Sequence, residues 1–214
     1  SGGAARSLVI LLHGVGADGN DLFGLAPQFA RALPNTAFVS PNAPYPCDMA
    51  PMGYQWFSIQ TQDPAVRLAA IRQTAEILNA FIDGRLAAHG LGDDRLALVG
   101  FSQGTMMSLF TAPRRDQACA GIMGYSGRME GGAELAAEIR SRPPVMMVHG
   151  DQEEMVGPLR HDIVPNNIMS ILTTKDEPAT FLACLEVKRL RPLSPRVGIS
   201  LGRANHMSRI LKLS

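Results

Sequence analysis

One serine of the chain stands in a context that suits nucleophilic chemistry. Ser102 lies between two glycines in the segment Gly100-Phe101-Ser102-Gln103-Gly104, a G-x-S-x-G pattern. The pattern is weak by itself, because two glycines around a serine also occur by chance and in ordinary turns. Here an apolar, strand-like run precedes it and a helical pattern follows, which is the setting of a nucleophile elbow. The spacing therefore predicts a serine hydroxyl exposed at a strand-to-helix turn, near the positive end of the helix.

A base for Ser102 must come from the five histidines of the chain. A serine hydroxyl becomes a good nucleophile only with a histidine base and a carboxylate that orients the histidine. In hydrolases built on such an elbow, the chain order is serine, acid, histidine. This order excludes His13 and His89, which precede the serine, and His149 is disfavoured because it ends a strand-like run. The candidates that remain are His161 and His206.

The elements that must position the serine alternate between strands and helices. Apolar runs typical of buried strands occupy residues 7–13, 36–40, 95–101, 118–125 and 144–149. Helical patterns occupy residues 22–33, 63–90, 103–111 and 133–140. The second of these has the clearest boundaries, with Asp63 as its cap, Pro64 in its first position and Gly90 at its end. Such alternation predicts an α/β fold with a doubly wound, mostly parallel sheet flanked by helices.

Residues 41–62 lack a sustained periodicity and contain four prolines. The aromatic residues of this segment are Tyr45, Tyr54, Trp56 and Phe57. Structureless connections longer than ~12 to 15 residues are uncommon in compact domains. We therefore predict a long loop with a functional role.

The length and composition fit one globular domain. The 214 residues suffice for a single sizeable core, and 46% apolar with 18% charged residues is ordinary for a folded protein. The 20 basic and 19 acidic side chains leave a formal charge of +1, so no global field would attract nucleic acid or an anionic membrane. A small, neutral ester is the favoured partner, and a homodimer is left open beside a monomer.

Cysteine usage and the first residues indicate the compartment. The three cysteines, Cys47, Cys119 and Cys184, lie far apart and show no metal-ligand spacing. Buried thiols in a reducing compartment are the simplest interpretation. No apolar run reaches the ~18 residues of a spanning helix, and residues 1–6 lack the apolar stretch of a signal peptide. We expect a cytoplasmic protein without stable membrane insertion.

Five segments follow one another in an order that a known family shares. They are Leu12-His13-Gly14-Val15-Gly16-Ala17-Asp18-Gly19-Asn20-Asp21, Pro41-Asn42-Ala43-Pro44, Trp56-Phe57, Gly100-Phe101-Ser102-Gln103-Gly104 and His149-Gly150-Asp151-Gln152-Glu153. Together they resemble the carboxylesterase, lysophospholipase and acyl-protein thioesterase family of small α/β hydrolases. The resemblance covers about residues 7 to 158. It implies the α/β-hydrolase fold and the hydrolysis of an ester.

The resemblance also implies roles for individual residues. Ser102 matches the nucleophile, and the backbone N–H groups of Val15 and Gln103 match the oxyanion hole. Each fixed donor at such a site stabilises the transition state by on the order of 3 kcal/mol. The Trp56-Phe57 segment resembles the family's acyl-site wall, which makes these residues the predicted substrate contacts. An equally weighted alternative is that both aromatic side chains pack on the core.

The chain departs from the family at the acid and at the base. The family has an aspartate four positions after its strand-ending histidine, where this chain has Glu153. Glutamate is an accepted acid in this fold, so Glu153 is the predicted acid and Asp151 the fallback. The family's Gly-x-Gly-His turn is missing, and the last histidine of the chain is His206. His206 is the predicted base, with His161 in reserve and with an accidental histidine at 206 as the alternative.

Composition changes in the last quarter of the chain. All three lysines, Lys175, Lys188 and Lys212, follow residue 170, and the residues before them use only arginine. We interpret residues 158–214 as an atypical C-terminal segment of the same α/β-hydrolase domain, which spans residues 1–214. Our hypothesis is that this segment was remodelled relative to the family by insertion or by a change of reading frame.

The predicted function is that of a serine esterase. It would hydrolyse carboxylic esters of small to medium acyl chains through an acyl-serine intermediate, and neither a metal nor an organic cofactor is implied. One alternative is a thioesterase acting on acyl-protein or acyl-CoA, or a lysophospholipase. A second alternative is a catalytically impaired, hydrolase-like binding protein whose C-terminal segment has lost the base.

Overall fold

The strands and helices are defined in a computed structural model, which describes residues 4–131, 133–148 and 169–171. The strands are β1 (Ser7–Leu12), β2 (Thr36–Val39), β3 (Tyr45–Pro46), β4 (Tyr54–Gln55), β5 (Leu96–Phe101), β6 (Gly121–Tyr125), β7 (Val145–Val148) and β8 (Met169–Ile171). The α-helices are α1 (Gly19–Phe23), α2 (Ala26–Ala32), α3 (Pro64–His89) and α4 (Gln103–Thr111). Short 3₁₀ helices cover Asp93–Arg95, Ala112–Arg114 and Ala133–Glu138.

Six strands form one parallel sheet in the order β2-β1-β5-β6-β7-β8. In this register Leu12 of β1 lies opposite Gly100 of β5, and Phe101 of β5 lies opposite Tyr125 of β6. From β1 the chain passes first to β2 on one side and later to β5 on the other. In open α/β sheets, ligands bind outside the carboxyl ends of the strands at such a reversal. The topology therefore points to the carboxyl ends of β1 and β5.

Both faces of the sheet are buried, as the continuous apolar runs predict. In β1, Leu8 and Ile10 belong to an apolar cluster that includes residues of α3 and α4. Val9 and Leu11 belong to a second cluster on the opposite face, which includes Phe29 of α2. Helices thus cover both faces of a parallel sheet, and the predicted doubly wound α/β fold is confirmed.

Helix α3 begins and ends where the sequence predicts. Asp63 Oδ1 accepts a hydrogen bond from the Ala65 amide at 2.8 Å, Pro64 is the first helical residue, and Gly90 ends the helix at φ +62°. Four residues of the predicted face are buried, namely Ile71, Ala75, Leu78 and Ile82, and Leu68 packs against them partly buried. Among the helices in the described ranges, α3 included, none combines the length and the apolar character that crossing a membrane requires.

The predicted long loop over residues 41–62 needs correction, because it contains an antiparallel ribbon. Strands β3 and β4 pair over two residues each. The Tyr54 amide also donates to the carbonyl oxygen of Ala17, and the Tyr54 carbonyl accepts from the Gly16 amide, both at 2.8 Å. These contacts join segments that are distant in sequence, so they leave no periodic pattern in the segment itself.

Two predicted helices also differ from the structure. The helix expected over residues 22–33 is divided into α1 and α2, and α1 begins earlier, at Gly19. It begins there because Asp18 caps it by accepting a hydrogen bond from the Asn20 amide at 2.7 Å. The helix expected over residues 133–140 is a shorter 3₁₀ segment.

Candidate active site

Ser102 lies at the predicted sharp turn between β5 and α4. Its backbone has φ +51° and ψ −114°, a conformation that L-residues rarely adopt. Such conformations cost about 1–3 kcal/mol and persist only where the surrounding structure imposes them. Ser102 is partly exposed, whereas every residue of α4 that follows it is buried. The turn therefore presents the serine at the start of an otherwise buried helix.

The turn is tight because backbones approach closely at two glycines. A Cβ on Gly104 would lie 1.8 Å from the carbonyl oxygen of Leu12, and one on Gly100 would lie 2.4 Å from the carbonyl carbon of Gly104. The obstructing atoms are backbone atoms of β1 for Gly104 and of α4 for Gly100, which cannot move aside as a flexible side chain could. Only glycine at these positions of the G-x-S-x-G segment lets α4 pack against the carboxyl ends of β1 and β5.

Hydrogen bonds from β6 hold the turn on its other side. The Ser102 amide donates to the carbonyl oxygen of Tyr125 at 2.9 Å. The Thr105 hydroxyl lies 2.7 Å from the Gly100 carbonyl oxygen and 2.8 Å from that of Tyr125, and it accepts from the Tyr125 amide at 3.0 Å. A hydroxyl has one hydrogen, so it donates to one of these carbonyls at a time. Thr105 thereby ties the first turn of α4 to both β5 and β6.

A buried histidine ring holds the segment that follows β1. His13 is fully buried, its Nδ1 lies 2.7 Å from the Gly14 carbonyl oxygen, and its Nε2 accepts from the Ala43 amide at 2.9 Å. Since Nδ1 must donate and Nε2 must accept, the ring is neutral. Burial lowers the pKa of His13 below its ordinary value of 6.5, against the opposing hydrogen bond to Gly14 and the charges of Asp18 and Asp21. The ring is occupied by structural bonds, in agreement with its exclusion as the base.

The same segment brings backbone amides close to Ser102. A Cβ on Gly14 would lie 3.4 Å from the Ser102 Cβ, so this segment passes directly beside the serine. Val15 comes next, and within the described ranges its amide has no hydrogen-bond acceptor. The Gln103 amide is the first of α4, where an N–H has no acceptor in its own helix. Both amides are therefore available to an oxygen atom bound next to Ser102.

Trp56 and Phe57 lie in the core. Each is 2% exposed, and both belong to the apolar cluster of α3 and α4. This burial favours the second of the two interpretations that the sequence allowed, and contact of either side chain with a substrate stays a prediction. The indole Nε1 of Trp56 donates to the His13 carbonyl oxygen at 2.9 Å. The Gln103 side chain is hydrogen-bonded to the backbone of both Trp56 and Phe57.

The fold of the chain, a doubly wound parallel sheet with a serine turn between β5 and α4, is accompanied by similarity to known proteins. The family model described as phospholipase/carboxylesterase matches residues 1–182. The chain belongs to the phospholipase/carboxylesterase family. The match extends past residue 158, where the motif-based resemblance ended, so a longer part of the chain follows the phospholipase/carboxylesterase pattern than the motifs alone indicate.

Known esterases and a thioesterase are among the proteins similar to this phospholipase/carboxylesterase family member. The crystal structure of esterase PE8 is 35% identical, with a TM-score of 0.76 over 88% of this chain and 94% of that one. Acyl-protein thioesterase 1 of Kluyveromyces lactis is 29% identical over 71% of this chain and 72% of that protein. Esterase YpfH of Escherichia coli is 26% identical over 71% of this chain and 64% of that protein. The chain is accordingly a hydrolase of the esterase and thioesterase type.

The structure brings part of the predicted site together. Ser102, Val15 and Gln103 lie at the carboxyl ends of β1 and β5, where the topology places a ligand site. The predicted acid and base and their two reserves lie outside the described residues, so their roles stay predictions. These residues are Glu153, His206, Asp151 and His161.

Sequence reasoning missed the polar side chains that hold the site in place. His13 was considered only as a base, Thr105 was not considered, and Gln103 was considered only for its backbone amide. A signal was present for Gln103, since an amide side chain on a helix that packs entirely into the core must find hydrogen-bond partners. The motif itself therefore carried a hint of a second role for this residue.

Proposed function

We propose that this family member is a serine esterase with Ser102 as its nucleophile and with the Val15 and Gln103 amides as its oxyanion hole. The observation that carries the proposal is a partly exposed serine at φ +51°, placed between a buried strand and a buried helix. Close backbone packing that holds a serine in this conformation is typical of a nucleophile elbow. The two available amides beside the serine support the same chemistry.

The proposed reaction proceeds in two halves. Ser102 Oγ attacks the ester carbonyl carbon while its proton passes to the histidine base, and the carbonyl oxygen becomes an oxyanion between the Val15 and Gln103 amides. The tetrahedral intermediate expels the alcohol, which takes the proton from the histidine. Water then attacks the acyl-serine by the same proton path, which releases the carboxylic acid and the free serine. The positive end of α4 favours the negative charge that develops in both halves.

For the base we propose His206, and for the acid Glu153, with His161 and Asp151 in reserve. The support for these residues is the chain order, since an acid after the nucleophile and a base after the acid are typical of this fold. Glu153 also follows soon after the end of β7, which is the neighbour of β6 in the sheet. Strand β7 runs parallel to β5, which precedes Ser102, so the carboxyl ends of both strands lie at the same edge of the sheet.

A pair of serine variants tests the nucleophile. Ser102→Ala is expected to lower kcat/KM for p-nitrophenyl esters on the order of 10⁴-fold or more, and to abolish labelling by a fluorophosphonate. Ser126→Ala is the matched control, because Ser126 also has a positive φ, of +47°, and directly follows β6. Labelling that survives in Ser102→Ala contradicts the proposal. An intact protein that takes up no label and turns over no ester supports the alternative of an impaired, ligand-binding hydrolase.

The base and the acid need variants of their own. His206→Ala and Glu153→Gln are each expected to lower kcat by about 10³- to 10⁴-fold, because the serine then loses its proton acceptor or the orientation of that acceptor. His161→Ala and Asp151→Asn are the matched controls and are expected to keep most of the activity. If the control variants lose activity and His206→Ala and Glu153→Gln keep it, the roles belong to His161 and Asp151. If His206→Ala and His161→Ala both keep full activity, the base is neither of the two histidines that the chain order allows.

A thioesterase is the second candidate, favoured by the similarity to Acyl-protein thioesterase 1 of Kluyveromyces lactis. The acyl-serine step is the same for both substrates, so Ser102 serves either one. Matched oxygen and sulfur esters of the same acyl groups separate the two candidates, with kcat/KM as the measurement. A higher kcat/KM for the oxygen esters throughout the series supports the esterase, and a higher value for the sulfur esters supports the thioesterase.

A further inference from the structure

We infer that the side chains of Trp56 and Gln103 are positioning residues that together hold the Val15 and Gln103 amides in place for one oxyanion. The inference rests on the proposed function, because it explains how the two proposed donors keep their relative position. It also gives Trp56 a part in catalysis that involves no contact with the acyl chain.

The Gln103 side chain is bonded at both ends to the segment that follows β4. Its Oε1 accepts from the Trp56 amide at 2.9 Å, and its Nε2 donates to the Phe57 carbonyl oxygen at 2.8 Å. One end must accept and the other must donate, which a neutral amide does and a carboxylate does not. Gln103 is 2% exposed, so water cannot replace either bond. The residue that carries one proposed donor is therefore fixed to residues 56–57 by its own side chain.

The same segment is also hydrogen-bonded to the loop that carries the other proposed donor, the Val15 amide. The Trp56 Nε1 donates to the His13 carbonyl oxygen at 2.9 Å. Two residues earlier in the chain, the Tyr54 carbonyl accepts from the Gly16 amide at 2.8 Å. Val15 lies between His13 and Gly16, so both of its flanks are held by residues 54–57. We call residues 54–57 the bracket.

The bracket thus joins the two proposed donors through a continuous set of hydrogen bonds, of which those made by the Gln103 and Trp56 side chains are buried. Two amides can stabilise one oxyanion only when the separation between them is fixed. Removal of one oxyanion donor lowers kcat by about 10²- to 10³-fold, and a displacement of about 1 Å can cost about 10²-fold. Loss of a bracket contact is therefore expected to lower kcat although no group that touches the substrate has changed.

The burial of Trp56 separates this role from that of an acyl-site wall. The ring is 2% exposed and lies 5.7 Å from the His13 ring, and the Thr74 hydroxyl donates to the Trp56 carbonyl oxygen at 2.7 Å. A side chain that lines an acyl site changes the relative rates of short and long esters. A side chain that positions the oxyanion donors changes all rates by the same factor, because every ester has the same carbonyl group.

The sharpest experiment removes only the indole N–H. Trp56 is the single tryptophan of the chain, so expression with benzothienylalanine in place of tryptophan exchanges this side chain for one of nearly the same shape without the donor. We expect kcat to fall by about 10- to 100-fold and by the same factor for p-nitrophenyl acetate, butyrate and octanoate, with KM changed by less than about threefold. The affinity for a trifluoromethyl ketone should fall by that factor, since its adduct places an oxyanion between the same donors.

A second variant and a control make the result specific. Gln103→Met removes both side-chain bonds at similar length and is expected to give the same uniform fall in kcat. When Gln103→Met is combined with the tryptophan exchange, kcat should fall by less than the product of the two separate fold reductions, because both changes act on the bracket. Phe110→Leu is the control, because Phe110 is 1% exposed, lies on the same helix and makes no hydrogen bond to the bracket. This variant protein should have a lower Tm and an unchanged kcat.

Two outcomes for the tryptophan exchange overturn the inference. One is a reduction in kcat that depends on acyl length, and the other is a reduction in kcat no larger than that of Phe110→Leu. If the exchanged protein does not fold, Gln103→Met decides by the same criteria. Ser102→Ala distinguishes this failure from that of the proposed function. If Ser102→Ala keeps its esterase activity, Ser102 is not the nucleophile and the proposed function fails. If Ser102→Ala is inactive but the protein with benzothienylalanine keeps the native kcat, only the proposed role of the bracket fails.

Discussion

The carboxyl edge of the sheet and the outer surface of α3 are held by different kinds of contact. At the carboxyl edge, which comprises residues 13–17, 54–57 and 100–105, buried hydrogen bonds join neutral groups and backbones touch directly. On the outer surface, an arginine of α3 and an arginine that follows α4 bind one carboxylate. We call this set the arginine face, and it consists of Arg72, Arg114 and Glu138.

The two regions differ in how much stability is lost when a contact is removed, and in how precisely an intact contact fixes the position of an atom. In the arginine face the side chains of Arg72 and Glu138 are 46% and 33% exposed, so water solvates either one when its partner is removed. Exposed ion pairs contribute about 0–1 kcal/mol, whereas an unpaired polar group in the interior costs about 1–3 kcal/mol. A catalytic site needs its groups fixed to within about 0.5 Å. Buried, neutral bonds suit that requirement, and exposed pairs suit the joining of helices.

The largest expected effect comes from a methyl group at the carboxyl edge. Gly104→Ala would place Cβ 1.8 Å from the Leu12 carbonyl oxygen, and the strand cannot move away. We expect a loss of more than about 3 kcal/mol in the free energy of unfolding, together with loss of ester hydrolysis. Urea unfolding followed by circular dichroism, with a parallel activity assay, measures both.

The control for this change lies on α3. Gly84 is exposed, and nothing lies within 4 Å of a Cβ added there. Gly84→Ala is therefore expected to stabilise the helix by about 0.5–1 kcal/mol and to leave activity unchanged. Equal tolerance of alanine at both positions would remove the basis for regarding the carboxyl edge as the rigid region.

The fold could be predicted where its signals are local in sequence. The strands that became β1 and β5 are continuous apolar runs, and α3 carries its own cap at Asp63 and its own end at Gly90. The β3–β4 ribbon could not be predicted, because its position depends on bonds from Tyr54 to Gly16 and Ala17 in a different loop. The start of α1 is different, because it depends on the local Asp18 cap, a signal that the prediction did not use.

The site divides in the same way. Ser102 could be located from five consecutive residues, since the motif and the turn it forms are one local unit. The bond from the Trp56 amide to Gln103 joins residues 47 positions apart, and the bond from the Trp56 indole to His13 joins residues 43 positions apart. No spacing in the sequence indicates either bond. The turn that carries Ser102 could therefore be predicted, and the residues that hold this turn in place could not.

A histidine of the carboxyl edge should make stability depend on pH. Burial lowers the pKa of His13 below 6.5, so below that pH the unfolded chain binds a proton that the folded protein does not. The stability contributed by neutral His13 is thus present above pH 6.5 and declines as the pH falls from 6.5 towards the lowered pKa, by up to about 1.4 kcal/mol per pH unit. His13→Gln, which has no proton to bind, should be about 1–3 kcal/mol less stable than the native protein at pH 7.

The measurement is the difference in the free energy of urea unfolding between the native protein and His13→Gln. This difference should narrow between pH 7 and pH 5, because only the native protein has His13 to titrate. His89→Gln is the matched control at an exposed position of α3, and its loss of stability at pH 7 should be smaller than that of His13→Gln. A difference that stays constant over this range would show that His13 is not held neutral by its two bonds.

A carboxylate of the arginine face should also lose its contribution to stability as the pH falls, but in a lower pH range and with a smaller effect. Hydrogen bonds from Arg72, which has the larger effect, and from Arg114 lower the pKa of Glu138 from 4.5 to about 2. Its contribution to stability is present above pH 4.5 and is lost as the pH falls from about 4.5 to about 2. Because the side chain is one-third exposed, we expect Glu138→Gln to cost about 1 kcal/mol or less at pH 7, and less again in high salt.

Urea unfolding at low and high ionic strength measures the effect of Glu138→Gln. Asp116→Asn is the control, since Asp116 pairs with Arg140 at 3.0 Å while both side chains are largely exposed, and its loss should be undetectable. Ester hydrolysis should be unchanged in both variants. A fall in kcat for Glu138→Gln would contradict the separation of the two regions.

The smallest expected effect has the opposite sign and lies on α4 between the two regions. Within the described part of the chain, the Thr111 hydroxyl is buried and has no hydrogen-bond partner. Thr111→Val keeps the shape of the side chain and removes the unpaired hydroxyl, so the protein should become about 0.5 kcal/mol more stable. Ser108→Ala on the same helix is the comparison, because the Ser108 hydroxyl donates to the Gly104 carbonyl oxygen at 2.8 Å and its removal should not stabilise. Destabilisation by Thr111→Val would mean that this hydroxyl has a partner and that polar bonding extends along α4 beyond the carboxyl edge.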